Sequence, residues 1–304
     1  NPNMEGGLYT TVPDYARVLT MHLADGWCGD DRVLSTAVLA MLHADRTGEV
    51  YGADEHVPSS EVVIVATKTG ANGALAERAV SLVADGGVLV VLQNGLEVEA
   101  PFAAAAAARP SVHVLGAMSF ICAHKAADGE VRHLDYEAVT VGAYDTSGAA
   151  QGVTAGVDAV VADLGSAGVP AEPLADLWEG RWRKLCWNIP FNGLSVLLDA
   201  TTAEMVGDPS CRAVVTALME EVVTAADAVG HPVADDTVAT MLRNTERMTP
   251  YAPSMKLDFE ARRPLELEAI YRTPIEVAAG VGTDMVATRQ LFGELTFLDR
   301  RNRS

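Results

Sequence analysis

Glu61-Val62-Val63-Ile64-Val65-Ala66 is a short, β-branched, apolar run that begins where the sequence pattern changes, at Ser60. A run of this kind reads as a buried strand of a parallel sheet. Working outward, Ala74 to Val83 has a helical pattern and Gly87-Val-Leu-Val-Val-Leu92 is a second strand. Pro101 to Ala108 is an alanine-rich helix, where propensity is high and packing information poor. Val112 to Leu115 and Ala138 to Val141 read as further strands, residues 151–164 as a helix, and Ala171 to Pro173 as a last short strand. Strands alternating with helices imply a doubly wound α/β sheet.

From about residue 176 no strand pattern survives. Helices around 181–198, 209–229, 235–245, 251–261, 265–281 and 284–300 predict an all-α second domain. The fold class is therefore α/β plus all-α: an incomplete doubly wound domain at 59–175 and a helical domain at 176–304. Upstream, residues 1–58 differ. Pro13 sits where a helix through Val18, Leu19 and Leu23 would begin, ending near Gly26, and Ser35 can cap a second through Val38, Leu39 and Leu42.

Composition narrows the function classes. The 304 residues suffice for two domains, and the net charge of −19 disfavours a nucleic-acid partner, which needs clustered Lys and Arg. No run of uncharged apolar residues is long enough to span a membrane and no signal-peptide pattern opens the chain, so a cytoplasmic protein is expected. The start on Asn1 reads as a fragment or processed end. Cys28, Cys122, Cys186 and Cys211 form no CxxC and no metal-like pairing with His, so no metal site is expected and the cysteines read as reduced thiols.

Within the helical half, Trp182-Arg-Lys-Leu-Cys-Trp-Asn-Ile-Pro-Phe-Asn192 places Lys184, Asn188 and Asn192 at a repeat of four. Each step of four turns a helix about 40°, so the three polar heads share one face while rising about 12 Å. Leu185, Trp187, Ile189 and Phe191 between them are apolar. One cation and two amides in such a setting suit a small anionic or carbonyl ligand; the plainer alternative is a snorkelling lysine with two surface amides. Downstream, Ser254 and Asp258 stand four apart, and Pro264 should end one helix and begin another, leaving Glu266 in a first turn favourable to a carboxylate.

Together these stretches resemble the ketopantoate reductase (2-dehydropantoate 2-reductase) family. The match rests on Lys184, Asn188 and Asn192, then on Ser254, Asp258 and Glu266, all at the family's spacings. It rests also on Leu92-Gln93-Asn94-Gly95 after an apolar strand, and on Val114 to Ala123 with Val131-Arg-His133. It runs from about residue 60 to the C-terminus. Two departures stand out: Gly193 follows Asn192 where the family usually has proline, with Pro190 inside the site helix, and Tyr271-Arg272 replaces the Asn-Gly pair frequent after the family's glutamate. Residues 1–52, through Gly6 to Arg17 and Arg32-Val-Leu-Ser35, resemble an internal segment of the serine β-lactamase-like esterase family. The catalytic Ser-x-x-Lys and Tyr-x-Asn motifs of that family are absent, so no hydrolase activity is expected.

The reductase resemblance implies a partial Rossmann-like NADP-binding domain at 59–175 and NADPH-dependent reduction of 2-dehydropantoate or a close 2-keto acid. By the same resemblance Lys184 is the catalytic proton donor, and Glu266 holds a substrate hydroxyl and orients it. Asn188, Asn192 and Ser254 bind substrate, and Lys68 and Asn94 border the cofactor. Asp258 is either a support or a contact one layer out, His124 and His133 fall at no catalytic position, and a homodimer is an expected assembly. No Gly-x-Gly-x-x-Gly occurs anywhere in the chain; Thr69-Gly70-Ala71-Asn72-Gly73 is its nearest lookalike and Gly280-Val-Gly282 lacks the third glycine. That turn carries the pyrophosphate on a helix N-terminus, so weak NADPH binding is expected. The alternative is an inactive remnant or fusion product, at most a ligand-binding or self-associating domain.

Overall fold

The computed structural model describes residues 59–125, 131–250 and 252–304, together with one short antiparallel pairing of Trp27–Cys28 with Asp31–Arg32. The helices expected through Val18 and through Val38, and the esterase-like segment, lie outside the described residues. The chain forms two compact units: Asn1–Gln93 with Val98–Leu177, and Asn94–Glu97 with Trp178–Ser304.

The first unit is a five-stranded sheet in the order β1-β2-β3-β4-β5. Its strands are β1 (Ser60–Val65), β2 (Val83–Leu92), β3 (His113–Lys125), β4 (Val131–Ala143) and β5 (Ala171–Leu174). Helices α1 (Asn72–Ser81), α2 (Ala100–Ala106) and α3 (Ala155–Ser166) connect them. Val62 to Val65 pair in parallel with Val88 to Val91, and Val88 to Leu92 in turn with His113 to Ala117. These runs are continuous and apolar because both faces of such strands are covered; Leu89 and Val91 are fully buried. One connection breaks the pattern. β3 and β4 form a long antiparallel hairpin, with register shifts around Cys122, of which the sequence showed only the two buried ends.

The second unit is helical: α4 (Leu177–Leu198), α5 (Thr202–Gly207), α6 (Pro209–Ala228), α7 (Thr237–Arg247), α8 (Ser254–Glu260), α9 (Thr273–Gly280) and α10 (Val286–Arg303). A π-turn, Glu268–Arg272, runs directly into α9. The core gathers on α4, where Trp182, Leu185, Cys186, Ile189 and Phe191 are fully or almost fully buried. Glu221 of α6 accepts hydrogen bonds from the Ala287 and Thr288 amides and so fastens the start of α10. No helix among the described residues is long and apolar enough to cross a membrane.

Candidate active site

The helix α4 is locked on the faces that do not carry Lys184, Asn188 and Asn192. Cys186 donates its S–H to the Met219 carbonyl of α6, and burial pushes its thiol up to about 12, which keeps it neutral and inert. Trp187 donates its indole N–H to Thr245 of α7 at 3.1 Å and packs its ring 5.0 Å from that of Phe191. Tyr271 of the π-turn donates its hydroxyl to the Ile189 carbonyl at 2.9 Å. Burial drives the Tyr271 phenol well above its usual range, so it remains a donor at any ordinary pH.

The polar face is different. Asn188 is 4 % exposed and Asn192 1 % exposed, yet Nδ2 of Asn188 and Oδ1 of Asn192 have no hydrogen-bond partner. More than nine in ten buried polar groups are satisfied, so an orphan donor and an orphan acceptor one helical turn apart make this face a candidate ligand contact, although Trp182 Nε1 and Arg183 Nε of the same helix are unmatched too. A hydroxyl can accept from the one and donate to the other. Lys184 lies half-buried one turn earlier on the same helix.

Around α4 the other sequence candidates fall as follows. Ser254 is the half-buried first residue of α8. That helix is tied to the end of α4 through Lys256, which pairs with Asp199 and, at 3.0 Å, with Glu260. Glu266 is half-buried in the segment just before the π-turn, so the helix starts later than Pro264 alone suggested. Asp258 is buried and takes a 2.8 Å ion pair from Arg263, the supporting role. Asn94 belongs to the helical unit: Leu96 donates its N–H to the Ala269 carbonyl at 2.9 Å, next to the Glu266 segment. Gly95 is required there, with φ at +108° and an added Cβ only 2.4 Å from that of Ala269. The structure therefore gathers Asn94, Glu266 and α4 around one π-turn. Lys68 lies in the sheet unit, exposed at the end of β1. His133 contacts the Tyr136 carbonyl within β4.

Sequence reasoning missed the roles of Tyr271, Ala269 and Gly193. It also missed a buried amide pair within the sheet unit. Asn72 and Gln93 exchange two 2.8 Å hydrogen bonds, Gln93 donates also to the Thr67 carbonyl, and Asn72 to that of Val98.

Lys184, Asn188 and Asn192 follow one another at single turns along α4, and Glu266 lies in the segment that leads into the π-turn. The family described as Ketopantoate reductase PanE/ApbA matches residues 28–146, and its C-terminal part, Ketopantoate reductase PanE/ApbA C terminal, matches residues 176–299. The chain belongs to the ketopantoate reductase family. The first of these matches begins well before residue 60, inside the segment likened above to an esterase. A 2-dehydropantoate 2-reductase of Nostoc is 41 % identical over 248 residues, 82 % of this chain and 77 % of that protein. Among solved structures, the 2-dehydropantoate 2-reductase of Geobacter metallireducens is similar at 33 % identity and a TM-score of 0.73, covering 83 % of this chain and 80 % of the other. The Methylococcus capsulatus enzyme follows at 28 % identity and a TM-score of 0.69, covering 83 % and 79 %. The Rossmann-like sheet and helical C-terminal region are shared with these reductases.

Proposed function

We propose that this chain reduces 2-dehydropantoate, or a close 2-keto acid, to its 2-hydroxy acid with NADPH. The observation that carries the reading is the unmatched donor and acceptor on Asn188 and Asn192, one turn from Lys184, in a chain of this family. The inactive-remnant alternative is not favoured by that family match.

Reduction of a ketone places negative charge on the carbonyl oxygen. Lys184 stabilises that oxygen and delivers a proton to it, since an ordinary lysine is charged at neutral pH. Asn188 and Asn192 grip a substrate hydroxyl between their free N–H and C=O, Glu266 orients Lys184 and a second polar end, and Ser254 donates to the carboxylate. The nicotinamide cofactor supplies the hydride. Asn94 and Lys68 are the residues we assign to its nicotinamide side.

The pyrophosphate end fits the described residues poorly. At Gly70 and Gly73, the two glycines of the Thr69–Gly73 turn, an added Cβ would meet nothing within 4 Å and neither backbone is left-handed, so the turn does not need its glycines for a close approach. Three charge-assisted contacts that the described residues do not supply, at about 1.5–3 kcal/mol each, correspond to roughly three to six decades of affinity. We therefore expect NADPH to bind no tighter than about millimolar. A fluorescence titration checks this, and micromolar binding would mean that another phosphate cradle exists. A cytoplasmic homodimer completes the proposal, with molar mass from light scattering as its test.

A further inference from the structure

The two departures from the family pattern meet in space. A Cβ added to Gly193 would lie 2.6 Å from the Tyr271 hydroxyl oxygen and 2.7 Å from Cδ2 of Leu291. That hydroxyl is donated to the Ile189 carbonyl, beside Pro190. Proline at 190 supplies no N–H, so the carbonyl one turn earlier, at Cys186, loses its intrahelical donor. The weakened stretch of α4 is the one that carries Asn188 and Asn192. Gly193 in the same stretch adds backbone freedom rather than removing it.

We propose that Tyr271 and Gly193 act as one positioning device for the substrate amides. Gly193 lets the π-turn approach α4 closely, and the Tyr271 hydroxyl holds the Pro190 break in a single geometry. This fixes where Asn188 Nδ2 and Asn192 Oδ1 point. Because Ala269 of the same π-turn carries the Leu96 bond, the Asn94 segment takes its position from the same element. π-turns in helices recur at functional sites for this kind of local re-aiming. Tyr271 is a positioning residue; the groups that touch substrate are the amides and Lys184. The inference rests on the substrate-binding reading above for its functional consequence, but its structural half can be read without any ligand.

Three variants test it: Tyr271→Phe, Gly193→Ala and the double variant. Tyr271→Phe removes one hydroxyl and keeps the ring, so the fold survives. In the ligand-free protein, hydrogen exchange of the α4 peptide around Asn188 to Asn192 should speed up roughly tenfold, with α6 and α10 unchanged, as expected for losing one buried hydrogen bond. Pantoate affinity by calorimetry should weaken roughly ten- to hundredfold, the penalty of a small misplacement. Gly193→Ala should be worse than Tyr271→Phe in both readouts, or fail to fold. Adding Tyr271→Phe to Gly193→Ala should then recover folding and affinity in part, so that the two losses are less than additive, because the clash with the oxygen is gone while that with Leu291 remains. Additive losses in the double variant, or unchanged α4 exchange in Tyr271→Phe, overturn the device. Wild-type protein that binds no pantoate, with α4 exchange still responding as described, overturns the substrate reading and leaves the device standing.

Discussion

Four amides are buried in this molecule to almost the same depth, two in the sheet unit and two in the helical unit. Asn72 and Gln93 are 4 % and 6 % exposed; Asn188 and Asn192 are 4 % and 1 % exposed. In the first pair each side chain donates to the other and also to a backbone carbonyl. In the second pair one N–H₂ and one C=O are left without a partner, although the two residues stand one helical turn apart. Burial and residue type are the same, so neither separates a support from a site. Satisfaction does. A closed amide pair fixes backbone, here the end of β2 against the start of α1, while an open pair leaves desolvated polar atoms unmatched at a standing expense in stability.

The first and largest test of that contrast is Lys184→Ala, because Lys184 shares the face of the open pair. If Lys184 is the proton donor proposed above, its loss should lower turnover about 10²–10⁴-fold. The thermal midpoint should fall by no more than a typical point substitution costs, about 1 kcal/mol, because Lys184 is only half-buried. Steady-state kinetics and a melting curve on the same preparation decide it. Unchanged turnover removes the mechanism; a large stability loss would move Lys184 to the supporting side of the comparison.

The second test strikes the closed pair. Gln93→Leu keeps the volume but leaves Asn72 Oδ1 and the Thr67 carbonyl without the donors they have now. Each stranded buried group costs about 1–3 kcal/mol, so a destabilisation of about 2–4 kcal/mol is expected in a urea unfolding curve of the sheet unit. A loss under 1 kcal/mol would mean that water replaces the pair, and that closure there carries no stability.

How much of this was legible beforehand follows from the same physics. The parallel strands were, because Val62 to Val65 and Val88 to Leu92 are buried on both faces and carry no polar interruption. The helices of the second unit were legible within a few residues. The long β3–β4 hairpin was not: beyond the sheet its residues are partly exposed, its register shifts, and the periodic signal fades. The short α5 escaped notice although Thr201 and Glu204 form a full capping box, a signature written plainly in Thr-Thr-Ala-Glu. Lys184, Asn188 and Asn192 could be found by spacing because one helix carries all three. The grouping of Asn94 with Glu266 could not, because it depends on the Leu96–Ala269 bond between distant parts of the chain. Gly193 and Tyr271 were visible only as two unrelated departures; the contact that makes them one feature has no local trace.

The smallest expected effect is the most telling, because its sign is opposite to that of its counterpart. Asn192→Leu and Asn188→Leu make in the open pair the change from amide to leucine that Gln93→Leu makes in the closed one. Here the substitution removes buried polar atoms that have no partner to strand. It also replaces a poor helix former by a good one, a gain of up to about 0.7 kcal/mol. Leucine has the same branched skeleton as asparagine with bulkier methyls, so overpacking offsets that gain by about 1 kcal/mol. Stability should therefore hold within about 1 kcal/mol or rise slightly, while pantoate affinity by calorimetry falls as the hydroxyl loses its acceptor in Asn192→Leu or its donor in Asn188→Leu. Asn192, the more deeply buried, is the cleaner probe. If Asn192→Leu destabilises the helical unit as much as Gln93→Leu destabilises the sheet unit, its amide is a support with a partner not yet seen, and the open pair ceases to mark a site. If it stabilises the protein while abolishing binding, the unpaired amides are kept at the expense of the fold for the sake of the ligand.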